Sequence, residues 1–174
     1  MAPGALRENA GALKARERDR EASLREHLSR LLDWEDAHAA FDAAVAGIPA
    51  DRRGTVPSGL AHSPWQLLEH LRRCQRDILD FCRDPKYVEL PFEEYWPDSA
   101  APPSATAWTK SVAGFRRDRE ALRRLARDRS VDLLARIPHG SGQTYLRELL
   151  LVADHNAYHV GQLVAVRRAL GIWK

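Results

Sequence analysis

Apolar residues recur at three- and four-residue steps in four stretches of this chain, and none of these stretches sustains period-two alternation. No hairpin dipeptide lies between apolar runs, so strands have no foothold and helices must do the packing. The first stretch, Glu21 to about Ala46, carries Leu24, Leu28, Leu31, Leu32, Ala39 and Val45. It is expected to form one amphipathic helix ending near Gly47-Ile48-Pro49. The second opens on a capping box, with Ser63 as N-cap, Pro64 first in the helix and Gln66 third. Its inner side is Trp65, Leu67, Leu68, Leu71, Ile78, Leu79 and Phe81, and Pro85 stops it by forcing the preceding residue out of helical conformation. The third is expected from Ser104, as N-cap, to about Asp128, with Trp108, Val112, Phe115, Leu122 and Leu125 inside. Thr144 caps the fourth, which runs to Leu170 before Gly171 ends it. Four long helices without repeats predict an all-α protein, an up-and-down four-helix bundle with a long crossover loop.

A chain of 174 residues is the size of one domain and buries roughly 70% of its unfolded surface. Residues 1–20 mix Arg7, Lys14, Arg16, Arg18 and Arg20 with Glu8, Glu17 and Asp19. They read as a basic extension, frayed or helical, ahead of a single domain over 21–174. Residues 86–103 form a long connection containing Tyr87, Phe92, Tyr95 and Trp96, which is expected to pack down as a lid or pocket wall. The five tryptophans are otherwise read as core and interface.

With 27 basic and 24 acidic residues, the net charge of +3 points to no polyanionic partner. Arg116, Arg117, Arg119, Arg123, Arg124, Arg127 and Arg129 are interrupted by Asp118, Glu120 and Asp128, the pattern of a solvated helix face and not of a nucleic-acid site. Cys74 and Cys82 sit about 12 Å apart along one helix, too far to bond, which fits a reducing compartment. The longest apolar run, Leu149 to Ala153, is far short of the ~20 residues of a membrane span. No apolar leader follows Met1, so a soluble cytoplasmic protein is expected.

Seven histidines are the unusual count. His155 and His159 stand at i and i+4 on the fourth helix, on one face, so both imidazoles can reach one metal ion. The bland alternative is a pair of hydrogen-bonded core histidines, since burying imidazoles is costly unless each finds a partner. The apolar neighbours Leu149, Leu150, Leu151, Val152, Val160, Leu163 and Val164 mark this helix as the most buried of the four. His70, on the inner side of the second helix, supplies a third corner. Three imidazoles leave a position for water or substrate, as in catalytic sites, and suit Zn, Ni, Co, Cu or Fe.

His27, His38, His62 and His139 read as surface or loop residues, with His62 and His139 the two that can approach the mouth of the site. Cys74, one turn from His70, is a minor candidate for a fourth ligand and more simply a small buried hydrophobe. Asn156 stands where a zincin protease carries its glutamate base, so that mechanism is absent. Any protein base must come from Glu94, Asp98 or Asp154, and the sequence selects none of them. Mid-helix Gly161 predicts close approach by another helix, since glycine there costs about 1 kcal/mol.

The segments Ser63-Pro64-Trp65-Gln66-Leu67-Leu68-Glu69-His70-Leu71, Gly142-Gln143-Thr144-Tyr145-Leu146-Arg147-Glu148 and Asp154-His155-Asn156-Ala157-Tyr158-His159-Val160-Gly161-Gln162-Leu163 resemble the DinB-like superfamily of bacterial metal-binding four-helix bundles. The likeness covers about residues 20–173. It implies a non-sequential helix order, a homodimer, and one divalent ion held by His70, His155 and His159, with zinc or nickel foremost and iron, cobalt or manganese as alternatives. Family members of known activity are mostly thiol-dependent transferases or isomerases using bacillithiol, mycothiol or glutathione. The expectation is therefore a metal-dependent enzyme, a thiol S-transferase or related hydrolase, acting on a small molecule. The alternative is a metal-binding stress-response protein without turnover.

Overall fold

The computed structural model describes residues 3–173, with side chains from residue 11 onward. It is all-helical: α1 (Pro3–Leu31), α2 (Phe41–Val45), α3 (Pro64–Arg83), α4 (Ala107–Arg127) and α5 (Tyr145–Ala169), with 3-10 turns at Ala50–Arg52 and Phe92–Tyr95. Among the described residues no strand forms, only an isolated bridge between Arg136 and Thr144. Among the described residues no helix is long and apolar enough to cross a membrane.

The caps predicted for α3 and α5 are present. Ser63 accepts the Gln66 N–H while the Gln66 side chain accepts the Ser63 N–H, and Pro64 occupies the first turn, where its missing donor is not needed. Thr144 accepts the Arg147 N–H at the head of α5, and Gly171 (φ 70°) closes its far end in a conformation that glycine adopts freely.

α3 packs chiefly on α5 and α4, while α1 packs on α4 and more lightly on α5. Two apolar clusters fill the interior. One joins Phe41, Leu67, Leu68, Leu71, Phe115 and Leu163; the other joins Leu28, Leu79, Leu122, Leu149 and Val152. Between them, at the middle turns of three helices, runs a polar layer: Gln75 on α3, Asp118 on α4 and Asn156 on α5, all buried. His70, His155 and His159 belong to the same level, so the site sits where the apolar core is interrupted.

Four expectations are corrected. The helix predicted from Glu21 to Ala46 is broken: α1 begins at Pro3, taking in the basic stretch, and ends at Leu31, and only α2 resumes it at Phe41. The break places two carboxylates around one buried guanidinium, since Arg119 reaches Asp33 at 2.6 Å and Asp42 at 2.8 Å. It also lays Phe41 flat on Phe115, with ring centroids 3.8 Å apart. An unbroken helix could not turn both groups inward. α4 starts at Ala107, not after Ser104. Thr106 takes the cap position without a side-chain bond, and the Ser104 carbonyl accepts the Ala107 N–H in a turn after Pro102-Pro103. α5 is not the most buried of the long helices, a place that α3 takes, for Leu150, Leu151, Asp154, Ala157, Tyr158 and Gly161 face out. Gly161 accordingly has no neighbour: a Cβ there would meet nothing within 4 Å, so no helix of this chain explains it.

The 86–96 segment does lie against α3. The Tyr87 hydroxyl donates to both Asp77 oxygens (2.9 and 3.0 Å) and the Tyr95 hydroxyl to one (2.9 Å). Arg73 donates to the carbonyls of Glu94 (2.6 Å) and Trp96 (3.2 Å). Glu69 holds Arg73 and Arg72 and accepts the Ser111 hydroxyl at 2.6 Å. Burial alone would raise its carboxyl, but the hydrogen bonds from Arg72 and Ser111 hold it below the usual carboxylate range. Val88 and Phe92 are exceptions to the packing, 83% and 85% exposed.

Candidate metal centre

α3 and α5 bring His70, His155 and His159 together as the sequence pairing anticipates, with one ligand atom of each within 4.8 Å of the others. The Nε2 of His70 lies 3.2 Å from the Nε2 of His159 and 3.2 Å from the Nε2 of His155. The outer nitrogens decide what those contacts are. Nδ1 of His70 lies 3.0 Å from the Tyr95 carbonyl, which can only accept, so Nδ1 carries the proton and Nε2 is bare. Nδ1 of His159 lies 2.8 Å from Gln162 Oε1, and with the amide in that orientation it carries the proton too. Two bare nitrogens facing each other at 3.2 Å repel and make no hydrogen bond. A cation between them turns that repulsion into ligation. Nitrogens bound tetrahedrally at about 2.05 Å stand roughly 3.3 Å apart, so the observed spacing fits a first-row divalent ion.

Electrostatics prepare the rings for the same role. Burial pushes the His70 imidazole down to about 4, opposed by the Tyr95 carbonyl and helped by His159, His155 and His62. Burial likewise takes His155 down to about 4, with His159 adding to the effect and Asn156 and Asp154 opposing it. His159 is lowered by burial too, against the pull of Gln162. Neutral imidazoles at neutral pH are what a metal requires, because each must offer a free lone pair.

Trp96 stacks on His70 at 3.8 Å with 7° between the planes, and His62 stacks on Trp96 at 3.9 Å. The segment that Asp77 and Arg73 pin to α3 thus walls one flank of the site. Tyr158, 63% exposed, stands edge-on to His159 at 4.9 Å and marks the solvent side. Of the two histidines placed near the mouth, His62 reaches this wall. His139 does not, for its Nε2 donates to the Phe81 carbonyl near the far end of α3.

Cys74 lies against the His70 ring, its Sγ 3.5 Å from Nδ1, but it is not part of the group whose ligand atoms converge, and burial pushes its thiol up to about 12. Cys82 is also free. Glu94, Asp98 and Asp154 are all exposed and none joins the histidine group, which places no carboxylate base among the ligands.

Sequence reasoning did not anticipate the groups that orient the rings. A carbonyl partner such as that of Tyr95 has no sequence signature. Gln162 did have one, lying one turn after His159 on the same face.

The model of the DinB superfamily matches residues 33–163, which include α2 to α4, all three histidines and most of α5. No curated protein and no solved structure matches the chain. Because that match spans three quarters of the sequence and contains the whole histidine cluster, the chain belongs to the DinB superfamily.

Proposed function

We propose that this protein is a metal-dependent enzyme in which His70, His155 and His159 hold one divalent ion, zinc or nickel before iron, cobalt or manganese, and that it acts on a small molecule with a low-molecular-weight thiol as co-substrate. The observation that carries the reading is the convergence of three imidazole Nε2 atoms, two of them kept bare by acceptors behind their rings. A divalent ion there would supply Lewis acidity, favouring the deprotonated form of a thiol or water that reaches its open side. The chain's own contribution is to keep three rings neutral and aimed. Trp96 excludes water from one flank and leaves the Tyr158 side for entry.

The absence of a carboxylate from the histidine group supports the rival reading, a metal-binding protein without turnover. A panel of thiols offered with an electrophile to the metal-loaded protein separates the two, since only the enzyme shows thiol consumption above the metal-free control. The ligand assignment is tested by elemental analysis of single alanine variants at the three histidines. Each should lose most of its bound metal, and full retention in all three would remove the assignment.

A homodimer belongs to the same proposal. Its support is an exposed stripe on α5 in which Leu150 and Leu151 are 45% and 39% exposed, continued by Ala157, Gly161 and Ala165 and leaving Tyr158 at its margin. Small residues at four-residue steps let a second helix come close, which would give Gly161 the neighbour it lacks within one chain.

A further inference from the structure

Two of the three histidines have an acceptor behind the ring, and the third does not. Nδ1 of His155 is buried with no partner at full hydrogen-bond geometry, although the Asn156 side chain lies close enough to favour a proton on the ring. With its Nε2 turned to His70, the neutral ring must carry its proton on that Nδ1 for Nε2 to be bare. The next residue, Asn156, is buried as well and has the complementary deficit: its Oδ1, an acceptor, has no partner. With the proton so placed, a buried N–H lacking a well-aligned acceptor and a buried carbonyl lacking a donor stand on consecutive residues, each costly while unpaired.

The orientation of the Asn156 amide is forced from α4. The backbone carbonyl of Phe115 can only accept, so Gln75 must present Nε2 to it, at 2.7 Å. That leaves Gln75 Oε1 facing Asn156, which must answer with Nδ2, at 3.0 Å. Oδ1 is then the atom left over. Gln75 has no exposed surface, so neither amide can be turned over by water. Reversing either one would set two acceptors, or two donors, face to face.

We infer that Asn156 is the positioning residue for His155, its Oδ1 accepting the Nδ1 proton when His155 serves as a ligand, so that the relay Phe115–Gln75–Asn156 fixes the third ring as Tyr95 and Gln162 fix the other two. This rests on the three-histidine metal reading and extends it. The relay also explains why a polar pair interrupts the core at this level, where an apolar pair of the same shape would pack with no amide to satisfy. An acceptor behind a ligating imidazole holds its tautomer and raises its basicity, and loss of such a partner typically weakens metal binding by about 10–100-fold.

The test measures zinc affinity by competition with a chromophoric chelator, together with metal-free melting temperature, for wild type, Asn156→Leu, Asn156→Ala and Asn156→Asp. Asp keeps an acceptor beside His155 but loses the donor to Gln75, so it separates the two halves of the residue's role. The expected result is a loss of about 10–100-fold for Leu and Ala. Asp should bind zinc at least as tightly as wild type while melting lower than wild type without metal. Ala stands in for Leu if the latter does not fold. Wild-type affinity in Ala or Leu overturns the inference and leaves the histidine site standing. An Asp variant as weak as Ala also overturns it, because Asn156 would then act only through the fold. A wild-type protein that binds no zinc, nickel or cobalt overturns the metal reading itself.

Discussion

Acid should unfold the metal-free protein through its histidines before its carboxylates matter. An ordinary histidine in the unfolded chain takes a proton near pH 6.5, whereas His70 and His155 in the folded protein resist until about 4. Between those values the unfolded state binds protons that the folded state refuses, so stability falls as pH falls. The contribution is therefore intact above pH 6.5, is lost progressively down to about pH 4, and levels off below. A displacement of 6.5 to about 4 corresponds to roughly 3 kcal/mol per ring at about 1.4 kcal/mol per unit. Solvent reaches both rings in part, and screening reduces the pair to about 3 kcal/mol in total. That is a large share of the 5–15 kcal/mol typical of a domain. The assay is urea unfolding in chelator at half-unit steps from pH 7.5 to 4, for wild type and for a variant with glutamine at all three positions. Glu69 and Asp42, both held below the carboxylate range, are present in each protein, so the difference between the two profiles isolates the histidines. Wild type should lose about 3 kcal/mol more than the variant across that window. Parallel profiles, or a wild type that gains stability in acid, would refute the claim that the rings are buried neutral.

Two further outcomes bear on how the site is framed. Gly161→Ala should stabilise the isolated chain by about 0.5–1 kcal/mol, because the added methyl meets nothing and removes unfolded-state freedom. In a dimer closed over this face the same change should weaken association, as read by sedimentation, and a stabilised dimer of unchanged affinity would place the interface elsewhere. Asp77→Leu removes the acceptor of the Tyr87 and Tyr95 hydroxyls and should lower stability by about 2 kcal/mol. It should also speed amide exchange across 86–96 and weaken metal binding by freeing the Tyr95 carbonyl behind His70. Unchanged exchange there would show that Arg73 alone anchors the segment.

Helix identity was legible because the signals are local. Ser63, Pro64 and Gln66 lie within four residues, and a cap is satisfied or not by its immediate neighbours. Apart from the Ser104 cap, displaced by a local turn, the failures involve partners distant in sequence. Nothing near Asp33 announces that Arg119, more than eighty residues on, will hold it together with Asp42, yet that triangle is what breaks the first helix. Leu150, Leu151 and Tyr158 have the periodicity of a helix buried on several sides. Exposure depends on which neighbours arrive, and the packing of α5 against α3 and, more lightly, α2 and α1 leaves that flank uncovered.

The site divides along the same line, and the division has a chemical basis. A metal ligand must be one of a few residue types, and on a helix two of them must stand three or four apart, so His155 and His159 declare themselves and restrict the third partner to an inward histidine such as His70. The group behind a ligand has to meet only one condition, that it accept a proton bond. A backbone carbonyl, a glutamine and an asparagine meet it equally well, and only the first leaves no residue type to search for. Asn156 looked in sequence like a missing glutamate because the comparison was with a base. In the fold its amide is committed on one side to Gln75, and what remains is an acceptor beside His155. A glutamate there would present oxygen to the Gln75 oxygen and force the relay to turn over, leaving the Phe115 carbonyl without its donor. The residue that removes a protease mechanism is thus the one that the buried amides require.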